Sequence, residues 1–473
     1  MIGRLGCRSA LICGGVVAAV TIAAPAAAQS RPEIGELRAL LLALKSDQER
    51  SSSRIAQLQG EQEIAARRIA QLEAALATRT PSSSPIAADR FEPGVAAAAA
   101  INRPVDLAAH STSQAPAAAI NPAGGSGPGT PAMQAQAKLA LSGDLRLRYE
   151  NNSGDTDAID RSRLVMRGRL RAAYSVNDWL TIGGQLSTGD PNDPNSTDIT
   201  LTGFDSDLMV SLDQAYVRAT FGNLTLNGGK FVQPFARTEM VWDGDVDIQG
   251  VAASYRTDLG GGSSARAHGL YMIVDEAAAA SDSYMVGGQV QLDWLLGDLR
   301  FEIAAGYYDY TLRSVAGADA GDIRTNRFAS GAYLSDFDLL DVVGGVTYSG
   351  LGPQWPVRLV ADYVHNFGAT TDQDSGFGVD LLLGRGVQHR DWRFGYGYAE
   401  TGVDAVLAAF SHDNTDLATN YRQHSIFGEY VVAPRVVLNA TLFHYRPKSS
   451  LFTPAFLPDD WVNRLRLNLL VNF

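Results

Sequence analysis

Trp461-Val462-Asn463-Arg464-Leu465-Arg466-Leu467-Asn468-Leu469-Leu470-Val471-Asn472-Phe473 is the stretch that decides the fold. Trp461, Leu465, Leu467, Leu469, Val471 and Phe473 share one parity, while Arg464, Arg466, Asn468 and Asn472 share the other, with Leu470 as an exception. A period of two belongs to a strand with one apolar and one polar face. The same pattern recurs at 139–150, where Leu139, Leu141, Leu145, Leu147 and Tyr149 alternate with Asp144, Arg146, Arg148 and Glu150. It is stronger at 163–174, where Leu164, Met166, Leu170, Ala172 and Tyr174 alternate with Arg163, Arg167, Arg169 and Arg171.

Working outward, residues 137–473 divide into sixteen such segments: 138–150, 161–175, 179–188, 208–221, 224–233, 247–257, 265–274, 283–294, 299–311, 337–349, 356–367, 375–384, 391–400, 422–433, 435–446 and 461–473. Their connections alternate. Val176-Asn177-Asp178, Gly222-Asn223 and Ala433-Pro434 are tight, whereas 189–207, 312–336 and 401–421 are long and polar. Tight turns at one end and long loops at the other are the layout of a sixteen-stranded antiparallel transmembrane β-barrel. A soluble sandwich would also alternate, and three features decide against it. The polar parity is rich in Arg and Asp, as a wet lumen requires. Trp179, Trp294, Trp355 and Trp392 stand beside short turns, where an aromatic girdle meets headgroups. Phe473 lies in phase with the outward face and resembles the terminal assembly signal of outer-membrane barrels. Outer-membrane lipid and the barrel assembly machinery are the expected partners.

Upstream the composition changes. Arg4 and Arg8 precede the apolar run Ala10 to Ala24 and the small-residue site Ala26-Ala27-Ala28, so 1–28 reads as a signal peptide with the mature chain starting at Gln29. A membrane anchor is the weaker alternative, since the run is short for a span and Pro25 ends it. Residues 31–79 form a heptad pattern with Ile34, Leu41, Ile55, Ile69 and Leu76 at a, and Leu37, Leu44, Leu58 and Leu72 at d; Gln48 and Gln62 at a weaken the seam, and Ser51 and Ala65 fill the other d positions. This seam predicts a self-associating periplasmic coiled coil, and its span from Ile34 to Leu76 corresponds to about 65 Å of helix. The alternative is one amphipathic helix lying on another surface. Residues 80–136 are a linker rich in Pro, Ala, Ser and Gly that cannot build a packed core.

The chain has 473 residues, a formal net charge of -12 and 45% hydrophobic residues. It can bury a large apolar surface, and it lacks the basic footprint of a nucleic-acid binder. Both cysteines, Cys7 and Cys13, fall in the signal segment, which excludes a disulfide framework or cysteine zinc site beyond it. No later charge-free apolar stretch reaches the length of a transmembrane helix, apart from a low-complexity Ala tract.

Several segments resemble the putative porin family of Gram-negative bacteria. They are Gly228-Gly229-Lys230-Phe231-Val232-Gln233-Pro234-Phe235 with Val241-Trp242-Asp243, and Leu334-Ser335-Asp336-Phe337-Asp338-Leu339-Leu340-Asp341. Asp362-Tyr363-Val364-His365-Asn366 and Asp404-Ala405-Val406-Leu407-Ala408-Ala409-Phe410 add to it. The resemblance covers nearly all of 138–473 and implies an outer-membrane channel, often preceded by a coiled coil, with a homotrimer as the expected assembly. It also implies a pore-narrowing loop after the fifth strand, here about 234–246 and short for that role. Arg237, Glu239, Asp243 and Asp245 are its candidate constriction residues.

A barrel of this size leaves an aqueous channel, and its lining sets selectivity. Closure would bring the last strand beside the first. By parity Arg146, Arg148, Arg163, Arg167, Arg169, Arg171, Arg464 and Arg466 then face the lumen as one basic strip. Facing charge could come from Glu239, Asp243, Asp245 and Asp247, or from Asp198, Asp205 and Asp207, giving a transverse field across the bore. Alternatively the arginines pair locally with Asp144, Glu150 and Asp160 and simply keep the wall polar. The sign of ion preference stays open. The seven histidines show no catalytic spacing, the oxygen-rich run 189–198 lacks a calcium-loop pattern, and the Gly run 260–262 sits where a turn belongs. No metal, cofactor or enzymatic activity is expected. Two functions fit: a diffusion channel for small hydrophilic solutes and ions, and a structural anchor tethering the outer membrane through the coiled coil.

Overall fold

A computed structural model describes residues 138–154, 160–201, 207–278, 280–315, 317–318, 320–453 and 457–473. The signal peptide, coiled-coil seam and linker lie outside the described residues, as does Asp205.

Sixteen strands make the wall. They are β1 (Leu139–Gly154), β2 (Arg161–Ser175), β3 (Leu180–Thr188), β4 (Val210–Phe221), β5 (Leu224–Val232), β6 (Asp247–Gly260), β7 (Ser263–Asp275) and β8 (Ser283–Leu296). There follow β9 (Leu299–Thr311), β10 (Phe337–Tyr348), β11 (Val357–Asn366), β12 (Ser375–Leu383), β13 (Trp392–Thr401), β14 (Tyr421–Ala433), β15 (Val436–Pro447) and β16 (Val462–Asn472). Each pairs antiparallel with its sequence neighbours, and β16 pairs with β1 from Asp144↔Asn472 to Gly154↔Val462, closing the cylinder. Closure is what a membrane demands of strands, because no backbone donor or acceptor is left facing hydrocarbon. At the β6–β7 turn, Gly260, Gly261 and Gly262 all have positive φ (81°, 62° and 80°), a conformation that glycine adopts without Cβ strain.

The parities fall as the alternation requires. Leu467 is exposed on the outer wall, whereas Arg464 and Arg466 are each 2% exposed and face inward. Leu470 also turns inward and is buried. The girdle is present at the short-turn end. Trp179 stacks on Phe221 at 5.3 Å, Trp294 on Phe301 at 5.3 Å, and Trp392 lies 4.6 Å from Tyr430.

The inner wall is not uniformly polar. From β5 to β11 it carries Phe231, Ile248, Leu270, Met272, Met285, Tyr308, Tyr310, Phe337, Leu339 and Val364, all buried. The reason is loop packing: 233–246 and 402–420 fold into the barrel, and Phe235, Met240, Val241, Trp242, Val406, Leu407 and Phe410 join one apolar cluster with that wall.

Candidate functional site: the arginine wall and the inward loops

β16, β1 and β2 bring the basic strip together because they are adjacent and share inward parity. Asp144 sits at its centre: Arg167 Nη2 donates to it at 3.0 Å, Arg169 Nε at 2.9 Å, and Arg171 Nη1 lies at 3.1 Å. Glu150 forms the second node, accepting from Arg466 Nε at 2.7 Å and Arg163 Nε at 2.7 Å, with Arg464 Nε at 3.8 Å. Local pairing with Asp144 and Glu150 is therefore observed. Asp160 instead accepts from the Gly154 amide at 3.2 Å.

Loops supply the remaining partners. β3 ends at Thr188, and Ile199–Thr200 takes its place beside β2, pairing with Met166 and Val165. That detour delivers Asp198, which accepts from Arg148 Nη1 at 2.7 Å and also pairs with Arg146. Asp245, from the loop after β5, accepts from Arg169 Nη1 at 2.9 Å and lies 3.5 Å from Arg167 Nη1. Asp416, after β13, pairs with Arg464, and Asn414 Oδ1 accepts from Arg466 Nη1 at 2.7 Å. Asp198 and Asp245 thus touch the arginines directly, so that part of the strip is bridged rather than separated by open bore. Six of the eight arginines are buried beneath these contacts, and only Arg163 and Arg171 are half-buried.

The other candidate constriction residues hold the loops to one another. Arg237 Nη2 donates to the Gly244 carbonyl at 3.3 Å, Glu239 accepts from the Asn414 side-chain Nδ2, and Asp243 Oδ1 accepts from the Asp245 backbone amide at 2.7 Å. The Asp243 amide donates to the Phe410 carbonyl at 2.8 Å, and Ser411 Oγ donates to the Met240 carbonyl at 2.9 Å. Asp247, on β6, accepts from Gln214 Nε2 at 3.0 Å, and Asp207 is exposed. The loop after β9 joins in through Arg327, whose Nε donates to Asp404 at 2.7 Å, and Asn326, whose Nδ2 donates to the Val403 carbonyl at 2.8 Å.

Electrostatics follow this packing. Burial pushes Asp245 and Asp198 up, yet the facing guanidiniums outweigh it and hold both carboxyls below the ordinary range. Asp243 moves the other way: burial and then the neighbouring Glu239 and Asp413 push it well above. Burial, followed by the nearby Arg324, pushes the His412 imidazole down to about 3.

A second group of arginines does not stand out in any single strand. Arg218, Arg256, Arg266, Arg300, Arg358 and Arg393 all take inward parity close to the short-turn end of six different strands. Arg266 Nη1 and Arg300 Nη2 donate to Asp293 at 3.1 and 3.0 Å, and Arg393 Nε donates to Glu429 at 2.6 Å. The cations are the wetter partners: the Arg300 side chain is 43% exposed and that of Asp293 only 3%. The signal was there, as one Arg per strand a few residues from a tight turn, but it becomes a ring only after closure.

Among known proteins, residues 154–329 match the family described as putative porin. No curated protein gives a significant match. Among solved structures, the high-pH form of Pseudomonas putida OprB is 12% identical over 71% of this chain and 94% of its own, with a TM-score of 0.49. A loop L8 deletion mutant of OmpT, an outer membrane protein of Vibrio cholerae, is 11% identical over 71% and 99%, with a TM-score of 0.44. A mutant of Rh. blastica porin is 10% identical over 71% and 100%, with a TM-score of 0.40. No residue role passes from likenesses this distant. The chain thus forms a closed cylinder with an apolar exterior, and its residues 154–329 are similar to the putative porin family.

Proposed function

We propose that the chain forms a water-filled outer-membrane channel for passive diffusion of small hydrophilic solutes, with a preference for anions. The carrying observation is the ring of inward arginines at the short-turn end, in which Arg266, Arg300 and Arg393 are more exposed than Asp293 and Glu429, the carboxylates they pair with. An exposed guanidinium beside a buried carboxylate presents net positive potential to the bore, and a charged lining raises the local concentration of counter-ions. The bridged arginine wall acts differently. It anchors three loops inside the barrel, and the space those loops leave sets the size limit. Catalysis is not assigned to the protein, and no bound group is needed for this role.

The assembly reading rests on sequence. The seam at 31–79 would hold copies together in the periplasm, with a trimer as the expected number. The barrel assembly machinery would recognise the strand that carries Phe473, and the exposed outer parity would meet outer-membrane lipid.

Reversal potential across a planar bilayer with a potassium chloride gradient tests the proposal. Native protein should give stepwise conductance and an anion-favouring potential. An Arg300→Glu, Arg358→Glu, Arg393→Glu variant should move that potential toward cations, with the permeability ratio changing by about tenfold at low salt. A folded barrel that never conducts would end the channel reading. An unchanged potential in the variant would end the anion preference.

A further inference from the structure

Nearly every arginine within the sixteen strands stands in the inward register. Arg422 on β14 and Arg446 on β15 do not: they alternate with the buried Tyr421, Gln423 and Tyr445, and so point out of the barrel. They are also directly opposite each other across the β14–β15 pair. Like charges directly opposite on one sheet face destabilise the pair, so an anion between them is favoured. Glu400 on β13 meets part of this demand, with Arg422 Nε at 3.2 Å and Lys448 Nζ at 3.5 Å. Arg446 lies over the Trp461 ring, 5.0 Å from its centroid, and its buried Nε makes no hydrogen bond among the described residues.

The next outward pair below is His424 opposite His444. His444 stacks flat on Trp461 at 4.2 Å and its Nδ1 meets Asn463 at 2.8 Å, while His424 Nδ1 meets Tyr396 Oη at 2.9 Å. Below these the outer wall becomes apolar through Ile426, Leu442 and Leu465. It then opens into a concavity of about 670 Å³ lined by Leu147, Leu164, Leu201, Trp392, Leu438 and Leu467, with Gly428 and Ala440 at its margin.

Depth fixes what this arrangement fits. Leu438 pairs with Tyr430, beside the Trp392 girdle, and eight residues separate it from Arg446. At about 3.4 Å per residue and a tilt near 40°, that is roughly 21 Å along the membrane normal, against an apolar band about 25 Å tall. The two guanidiniums therefore stand at headgroup height in the leaflet on the long-loop side, above an apolar slot that runs from β13–β16 onto β1 and β2. Guanidinium forks match phosphate bidentately.

We propose that β13–β16 carry an outer-wall binding site for a phosphate-bearing lipid of the outer leaflet. Its phosphate sits between Arg422 and Arg446, with Lys448 beside them. Its sugar or glycerol moiety lies against Trp461 and the histidine pair, and its acyl chains run into the slot. The site lies outside the bore and is independent of conduction.

The full chain is mixed with phosphatidylcholine vesicles carrying a diphosphorylated glycolipid, then with vesicles carrying the same glycolipid dephosphorylated, and separately with inorganic phosphate. Lipid retained per barrel after detergent exchange is read by native mass spectrometry. The wild type should retain the phosphorylated lipid. An Arg422→Gln, Arg446→Gln variant should retain about tenfold less, from the loss of charge-assisted bonds. Ala440→Phe, which fills the slot without touching charge, should also lower retention. Lys448→Gln and the dephosphorylated lipid on wild type decide the case if the double variant fails to fold. Equal retention by the arginine variant and wild type overturns the proposal. So does displacement by inorganic phosphate at equal concentration, which would mark a plain anion site. Loss of the oligomer with lipid retention unchanged would overturn it in favour of a second copy of this chain.

Discussion

Replacing Trp242 by Ala probes whether the loop after β5 is fastened by packing. The indole is fully buried and stacks on Phe410 at 5.8 Å. It meets Tyr308 edge-on at 5.6 Å and lies 6.3 Å from Phe235. It therefore joins two loops to β9 at one point. Its Nε1 makes no hydrogen bond among the described residues, so the substitution removes packing and leaves no polar group stranded. Such a truncation costs about 3–5 kcal/mol. With about 1.4 kcal/mol per tenfold, the population with that loop released should rise by roughly two to three and a half orders of magnitude. The wall itself keeps its ladder, so the barrel should still fold and migrate as a compact species before heating. Single-channel recording is the assay. The native trace should hold one main level, and the variant should show excursions from it at least a hundredfold more often, with Trp242→Phe in between. A folded variant whose trace matches native in level and noise would refute the idea that this indole secures the constriction.

Acid should loosen the loop after β13. The His412 value lies below its ordinary one, so the neutral ring favours the packed loop. That contribution is complete above about 6.5 and is lost as pH falls toward about 3. Asp243 works the other way: its value is raised, so its contribution is present at low pH and fades as pH climbs through the raised value. The His412 part of the native pH dependence should therefore appear as added excursions from neutral to acid pH, and His412→Gln should show fewer of them than the native channel at acid pH. A His412→Gln trace with the native pH dependence would remove the histidine from the account. Deleting residues 31–79 should weaken the oligomer on native gels while leaving conductance per barrel unchanged, and an oligomer of native stability would count against self-association through that seam.

The wall was readable because lipid enforces alternation most strictly where the lumen side is charged. At β1, β2 and β16 most inward residues are Arg, Asp, Glu or Asn, with Val165, Val462 and Leu470 among the exceptions, and the parity is unmistakable. Strand limits came within a few residues, the first strand extending to Gly154 rather than 150. Around β7 the signal fades, since Leu270-Tyr271-Met272-Ile273 is apolar on both faces. That run is itself informative. An inward Leu270 and Met272 need an apolar partner inside the barrel, and Phe235, Val241, Trp242 and Phe410 are apolar residues in segments that would otherwise be wet. The two anomalies explain each other. Alternation within single strands could not show it, because the contact joins residues far apart in sequence. The bridging of Asp198 and Asp245 was hidden for the same reason: parity gives the direction of a wall residue but not the path of a loop.

The seam between β16 and β1 makes the wall a hoop in which every strand is gripped along both edges by hydrogen bonds. In a hoop the peptide links between neighbours are not the fastenings. A protease that severs a long surface connection leaves both flanking strands clasped from either side, with no free border on which a foreign strand could be templated. Durability in a hostile exterior thus comes from circular topology, and the chain can vary those connections freely wherever they do not reach inward to the arginines.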